Sequence, residues 1–254
     1  MFDLTGKKGL VVGIANSDSI AFGCAKAAKA GGAEIAVTWL NDRARAHVEP
    51  LADSLGAVLR MPLDVEQPGA VAEVFEAVRD RWGRLDFLVH SIAFAPAADL
   101  RGRVLDCTSA GFETAMRVSC YSLIEMAKHA EPLMTDGGAI VTMSFAGADR
   151  TVPSYGMMGP VKAALQSTVR YLAREMGPSG IRVIALSPGP IATRAASGLP
   201  DFDGLAGDAV AHSHLGRLVT IDEVGAAAAF LVSDGAAGMT GCTIPVDAGR
   251  HAAQ

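Results

Sequence analysis

The sequence predicts a single-domain α/β fold built on a doubly wound, parallel, seven-stranded sheet. Short, continuously apolar runs such as GLVV and FLVH alternate with helix-period segments. Those runs lack the polar–apolar alternation of a half-solvated sheet, so helices must cover both of its faces. The 254 residues, 50% of them hydrophobic, suffice for one large core, and no linker, repeat or low-complexity run divides residues 1–254.

Each element follows in order. KKGLVVGIA is a buried first strand ending at Gly13. SIAFGCAKAAKAGG is a helix with Ser19 near its start and Gly31–Gly32 as its stop. AEIAVTW is the second strand, and NDRARAHVEPLADSLG a helix with Pro50 as an irregularity near its middle. AVLRMPLDV is the third strand, closing at Asp64–Val65. QPGAVAEVFEAVRDRWG places Val71, Val74, Phe75 and Val78 on one helical face. RLDFLVHSIA is the fourth strand, and a helix lies between Ser109 and Met134. GGAIVTMSFAG is the fifth strand, followed by a helix that runs to about Met176, where Gly177–Pro178 ends it. IRVIALSPGPI is the sixth strand and GCTIPVDAG the seventh. Right-handed crossovers make this a Rossmann-like arrangement, with ligands at the carboxyl ends of the strands. The Ala-, Gly-, Asp- and Ser-rich segment 192–215 follows a strand end and reads as a substrate-binding lid over that edge.

Composition narrows the function. A net charge of −5 with no Lys/Arg cluster speaks against nucleic acid. The N-terminal MFDLTGKKGLVVGIA carries an acid and only a short strand-like apolar run, unlike a signal peptide. No window reaches the roughly 18 apolar residues of a membrane span, so no membrane partner is expected. The four cysteines fit no zinc or redox spacing, which points to no metal and to reduced thiols in a cytoplasmic protein.

The strand ends carry the candidate chemistry. Gly13 permits a tight turn whose following helix start, Ser19–Ile20, can face a pyrophosphate. After the second strand, Leu40 stands where a ribose-binding acid is common; Asn41 and Asp42 follow, and Arg43 and Arg45 could reach a 2′-phosphate. Asp42 would repel that phosphate, so NADH is the expected cofactor, with NADPH possible. Asp64 can accept from an adenine amino group while Val65 packs on the ring, or Asp64 is a helix cap. Ser91-Ile92-Ala93 closes the fourth strand, where small residues would let the backbone approach a nicotinamide ribose. His90 beside them reads as a packed, hydrogen-bonded core residue.

Tyr155 and Lys162 stand seven apart. On a helix that is about 10 Å of rise, with both side chains on one face. A nearby ammonium favours the phenolate and lowers the phenol's pKa. Lysine can also hold ribose hydroxyls, while the phenol stabilises an oxyanion or gives up a proton. Pro160 would cost about 3 kcal/mol inside a helix but little in its first turn. It therefore places Tyr155 at or just before the helix start and Lys162 in the second turn.

Together, Gly13-x5-Ser19-Ile20-Ala21, Asp64-Val65, HSIAFAP (90–96), Tyr155-x6-Lys162 and GPIATRAASG (189–198) resemble the enoyl-acyl-carrier-protein reductases. These are a divergent branch of the short-chain dehydrogenase/reductase family. The similarity runs from about Leu4 to Arg250. Ordinary family members carry TGxxxGxG and N-N-A-G runs that this chain lacks, and a serine where Thr142 stands.

The resemblance implies reduction of the trans-2 double bond of an enoyl-acyl-carrier-protein in fatty acid biosynthesis, by a homotetramer. It implies pyrophosphate contacts from Gly13, Ser19 and Ile20 and adenine contacts from Asp64 and Val65. Ser91, Ile92 and Lys162 would lie along the nicotinamide ribose, with Ile191 and Thr193 near its amide. Tyr155 would face the thioester carbonyl as the catalytic phenol, with Lys162 tuning it. Ala95, Phe145 and Met158 would contact the substrate, beside Phe94, Met143 and Met157. Phe145 stands where many members have a second tyrosine, and Leu40 where many NADH users have glutamine. Two other readings compete. One is reduction of a ketone such as a 3-oxoacyl thioester, polarised by Thr142 or Ser144. The other is a nucleotide-binding paralogue with weak turnover.

Overall fold

The computed structural model describes residues 2–193, 196 and 201–253. Strands β1 (Lys8–Val12), β2 (Glu34–Trp39), β3 (Leu59–Pro62), β4 (Phe87–His90), β5 (Gly138–Met143), β6 (Ile181–Pro188) and β7 (Thr243–Val246) form one sheet. Its order is β3-β2-β1-β4-β5-β6-β7, and every pairing is parallel. The order in which strands are added reverses between β1 and β4, the switch point at which doubly wound sheets bind ligands.

The helices are α1 (Ile20–Ala30), α2 (Asp42–Leu55), α3 (Ala70–Trp82), α4 (Ala97–Leu100), α5 (Ser109–Met116), α6 (Ser122–Ala130), α7 (Met158–Met176), α8 (Phe202–His212) and α9 (Ile221–Val232). Alternate strand residues point to opposite faces, which divides the core in two. Val11, Ile35, Val37 and Trp39 meet α1, α2 and α9 on one face. Leu10, Val12, Leu88 and Ile140 meet α3, α6 and α7 on the other.

Four features differ from the sequence expectation. Strand β5 stops at Met143, so Ser144 and Phe145 belong to the turn beyond it rather than to the strand. The region 109–134 is interrupted by a π-helical turn, Arg117–Tyr121, between α5 and α6. The lid segment holds a helix, α8, opened by Asp201, whose side chain accepts from Gly204 N. Helix α9 was not expected at all. Its start signal is present, a capping box in which Thr220 and Glu223 each bond the other's backbone N–H.

Helices α1 and α9 pack unusually closely, and glycine is the reason. A Cβ on Gly23 would lie 2.3 Å from Ile221 O, and one on Gly225 would lie 2.3 Å from Gly23 O. Pro50 sits inside α2 without ending it.

Candidate active site

At the β1 end, Gly13 has φ +99, and a Cβ there would lie 2.3 Å from Ser91 O and 3.2 Å from Ile92 Cγ1. The turn after β1 is thus pressed against the end of β4, and only glycine fits. Ser19 occupies the N-cap position of α1 with no side-chain cap bond. Its hydroxyl donates instead to Asn16 O at 2.7 Å. The first amides of α1 are therefore left without a side-chain acceptor, which is what an anion at that helix end requires. Ile20 and Ile191 are partly buried against the same core face.

At the β3 end, Val65 is buried, and Asp64 Oδ1 accepts from Glu66 N at 3.0 Å. Helix α3 begins only at Ala70, so Asp64 closes a local turn and does not cap that helix. After β2, Leu40 is 54% exposed. Asn41 caps α2 through Ala44 N, and Arg45 pairs with Glu49 at 2.7 Å. Thr193 N donates to Ile191 O at 2.7 Å, a tight turn just past β6. Arg194, Ala195, Ser197 and Gly198 of the 189–198 motif, and 199–200 of the lid, lie outside the described residues.

Helix α7 begins at Met158, so Tyr155 precedes it and Lys162 falls in its second turn. Pro160 is in the first turn, where its missing N–H leaves no helix bond unmade. The one-face helical argument for the pair therefore does not apply. Tyr155 is set by the turn itself, with Ser154 at φ +63 and Gly156 at φ +52 on either side.

Tyr155, Met158, Ala95 and Phe145 meet in a single apolar cluster with Leu100 and Val161. The Phe145 and Tyr155 rings lie 4.6 Å apart. Burial pushes the Tyr155 phenol above its ordinary range. This corrects the expectation of a lowered value: desolvation decides, and no charge offsets it. The phenol is accordingly protonated at working pH and fit to donate.

Lys162 is buried, and its Nζ donates to Met143 O at 2.6 Å. Among the described residues no hydrogen bond joins it to Tyr155. Burial pushes its ammonium down to about 8, with Cys120 pulling the other way.

His90 is fully buried, as read from the sequence. Its Nε2 lies 2.9 Å from Ser122 Oγ and its Nδ1 2.8 Å from Thr142 Oγ1. Ser122 donates its only proton to Val118 O at 2.7 Å, so it must accept from His90 Nε2–H. Nδ1 then accepts from Thr142, whose hydroxyl proton is thereby committed. Burial, reinforced by the Lys162 charge, pushes His90 down to about 3, so it stays neutral.

Three supporting residues were not read from the sequence. Ser119 accepts from Phe94 N at 3.0 Å and donates to Phe94 O at 3.1 Å, pinning the segment after β4. Ser122 orients His90. Gln166 Nε2 donates to Ser144 Oγ and to Asp149 Oδ2, both at 3.1 Å, bracing the turn that carries Phe145. Gln166 was legible in principle, four residues after Lys162 on the same helix face. The serines depend on the π-turn and left no sequence signal.

A glycine-only turn, an uncapped helix start and a buried ammonium at one sheet edge suit a dinucleotide. Fold and site together define a nicotinamide-dependent oxidoreductase of the short-chain dehydrogenase/reductase type. Comparison narrows the class. A family profile described as "Enoyl-(Acyl carrier protein) reductase" matches residues 13–251. The chain is 45% identical to the enoyl-[acyl-carrier-protein] reductase [NADH] 1 of Rhizobium meliloti (strain 1021), over 98% of this chain and 91% of that protein. It is 44% identical to the enoyl-[acyl-carrier-protein] reductase [NADH] FabI of Nostoc sp., over 98% of each chain. The crystal structure of the Anaplasma phagocytophilum enoyl-acyl-carrier-protein reductase with NAD superposes with a TM-score of 0.94 at 46% identity, over 98% of this chain and 95% of that one. The Bacillus cereus enoyl-acyl-carrier-protein reductase, with NADP+ and an indole naphthyridinone, gives 0.97 at 39% identity over the whole of both chains. The chain belongs to the enoyl-acyl-carrier-protein reductase family.

Proposed function

We propose that this chain reduces the trans-2 double bond of an enoyl thioester carried by acyl carrier protein, with NADH as reductant, in fatty acid biosynthesis. The single observation that carries this reading is the protonated, buried Tyr155 phenol set against Phe145 beside the Lys162 turn, in a chain of this family. NADH is supported by Asp42 after β2 and by the names of the relatives.

When bound, the reduced nicotinamide supplies a hydride to the β-carbon. Gly13, Ser19 and Ile20 would hold the pyrophosphate side, and Asp64 and Val65 the adenine. Ser91, Ile92 and the Lys162 ammonium would hold the nicotinamide ribose, with Ile191 and Thr193 near the amide. Tyr155 donates to the thioester oxygen as negative charge develops there. Ala95, Phe145 and Met158 supply the apolar wall for the acyl chain.

Ketone reduction is the weaker reading. Of the two hydroxyls it could use, Thr142 is fully buried and gives its proton to His90, which leaves that reading resting on Ser144 alone, buried and accepting from Gln166. Oxidation of NADH measured side by side with 2-enoyl and 3-oxoacyl thioesters separates the two. Turnover of the enoyl substrate alone is expected; preference for the 3-oxoacyl substrate overturns the reading. Tight NADH binding with neither substrate consumed would favour a nucleotide-binding paralogue.

The lid, 192–215, belongs to this one catalytic domain. Homotetramer formation is supported by the large side chains left exposed on the π-helical turn, α6 and α7, namely Tyr121, Ile124 and Tyr171. A cytoplasmic location is supported by four unpaired cysteines. Among the described residues no helix is long and apolar enough to cross a membrane.

A further inference from the structure

We propose that Gln166 is a positioning residue for the reduction: it ties both ends of the 144–149 turn to α7, and that turn is the wall that aims the Tyr155 phenol. This inference rests on the enoyl-reductase reading. Tyr155 is buried, and among the described residues no hydrogen bond reaches its hydroxyl. Packing of the ring therefore sets where the hydroxyl points. That packing comes from the turn beyond β5. The Phe145 ring lies 4.6 Å from the Tyr155 ring. A Cβ on Gly147 would lie 2.4 Å from Tyr155 Cδ1, so the Gly147 backbone rests on the ring itself. The bonds within the turn are local: Ala148 N donates to Phe145 O at 3.0 Å and Asp149 N to Ala146 O at 3.1 Å. Such bonds shape a turn without fixing it against the rest of the protein.

Gln166 supplies the anchor. It is buried, one helical turn beyond Lys162 on α7. Lys162 Nζ reaches Met143 O at 2.6 Å, and Gln166 reaches the next residue along, Ser144. Its Nε2 donates to Ser144 Oγ at one end of the turn and to Asp149 Oδ2 at the other, both at 3.1 Å. A carboxylate only accepts, which fixes Nε2 towards Asp149, and both amide hydrogens are then in use. Among the described residues no other side chain hydrogen-bonds to 144–149. The first turn of α7 backs the same segment, since a Cβ on Gly159 would lie 3.1 Å from Gly147 O.

Without the carboxamide the turn keeps its local bonds and loses its tie to α7. The Tyr155 ring then loses a fixed wall, and its phenol a fixed aim. A reacting group misplaced by about 1 Å can cost about 10²-fold in rate. The proposed pyrophosphate and adenine contacts lie at the ends of β1 and β3, away from this turn, so NADH binding should be spared.

The test is a double-mutant cycle of Gln166→Met with Tyr155→Phe. It is read as kcat for a dodecenoyl thioester of acyl carrier protein and as NADH affinity by fluorescence titration. Methionine keeps the length of glutamine and removes both donors. In the wild-type background kcat is expected to fall by about tenfold or more, with NADH affinity unchanged. In the Tyr155→Phe background, where no phenol remains to be aimed, the same substitution should cost less than about twofold. Asp149→Ala, at the partly exposed end of the network, should behave alike and carries the test if Gln166→Met does not fold. An unchanged kcat overturns the inference. So does an equal loss in both backgrounds, the mark of a role in stability alone, and so does a matching loss of NADH affinity. Wild type that binds NADH and reduces no enoyl thioester overturns the reading beneath it instead.

Discussion

Tyr155 and Lys162 are buried by the same fold, and burial acts on them in opposite senses. It raises the phenol, which keeps a proton ready to donate. It lowers the ammonium to about 8, close to working pH. Tyr155→Phe removes the donor and leaves the ring stack on Phe145. The expected loss is about 10²- to 10³-fold in kcat, with NADH binding retained. Steady-state kinetics beside a fluorescence titration of NADH checks this, and an unchanged kcat/KM would remove Tyr155 from its role. Lys162 gives a pH signature. As pH rises through about 8 the ammonium loses its proton, so kcat/KM should fall on the alkaline side with a break near that value. Stability moves the other way. The folded value lies below the ordinary 10.5, so the unfolded chain binds the proton more tightly between the two. Folding stability should therefore rise from about 8 to 10.5 as the burial penalty is relieved. Activity profiles and denaturant midpoints over the same pH range measure both. An activity profile without an alkaline break would detach Lys162 from substrate or cofactor binding.

Among the elements, α1 and α9 depend most visibly on glycine. Their backbones approach through Gly23 and Gly225, where any Cβ meets a carbonyl oxygen. Gly225→Ala should separate the helices and destabilise the protein by about 1–3 kcal/mol, the usual cost of overpacking. Urea unfolding measures it, and a loss under half a kilocalorie would show that the helices slide apart freely. Because α1 opens the candidate pyrophosphate turn, the same variant should weaken NADH binding. The sequence showed α1 through its apolar period, but α9 was hidden by AAAA in the run GAAAAF, which carries little periodic contrast. The start of α7 was legible because Pro160 admits only a first-turn placement. The π-turn at Arg117–Tyr121 was not, since no local residue type demands it.

At the scale of the whole molecule, the parallel, doubly wound arrangement was readable from alternation and apolar runs, and the strand order came from the tertiary structure. The proposed assembly would follow from what that arrangement leaves uncovered. Tyr171 on α7 is 70% exposed and Tyr121, at the end of the π-helical turn before α6, is 51% exposed, large surfaces to leave in water. Sedimentation should give a mass of four chains, and Tyr171→Asp with Ile124→Asp should shift it to smaller species. A wild-type monomer at micromolar concentration would sink the tetramer.

What the sequence determined by itself was the fold class and the identity of the residues along one sheet edge. Apolar period, glycine turns and the Tyr155–Lys162 spacing are local properties, and local chemistry is enough to place them at strand ends and at the start of α7. Only the tertiary structure decided their states. The raised Tyr155, the lowered Lys162 and the proton order Thr142–His90–Ser122 all follow from desolvation and hydrogen-bond partners that come from segments far apart in the chain. Burial and long-range pairing are properties of the packed molecule, and no short stretch of sequence contains them.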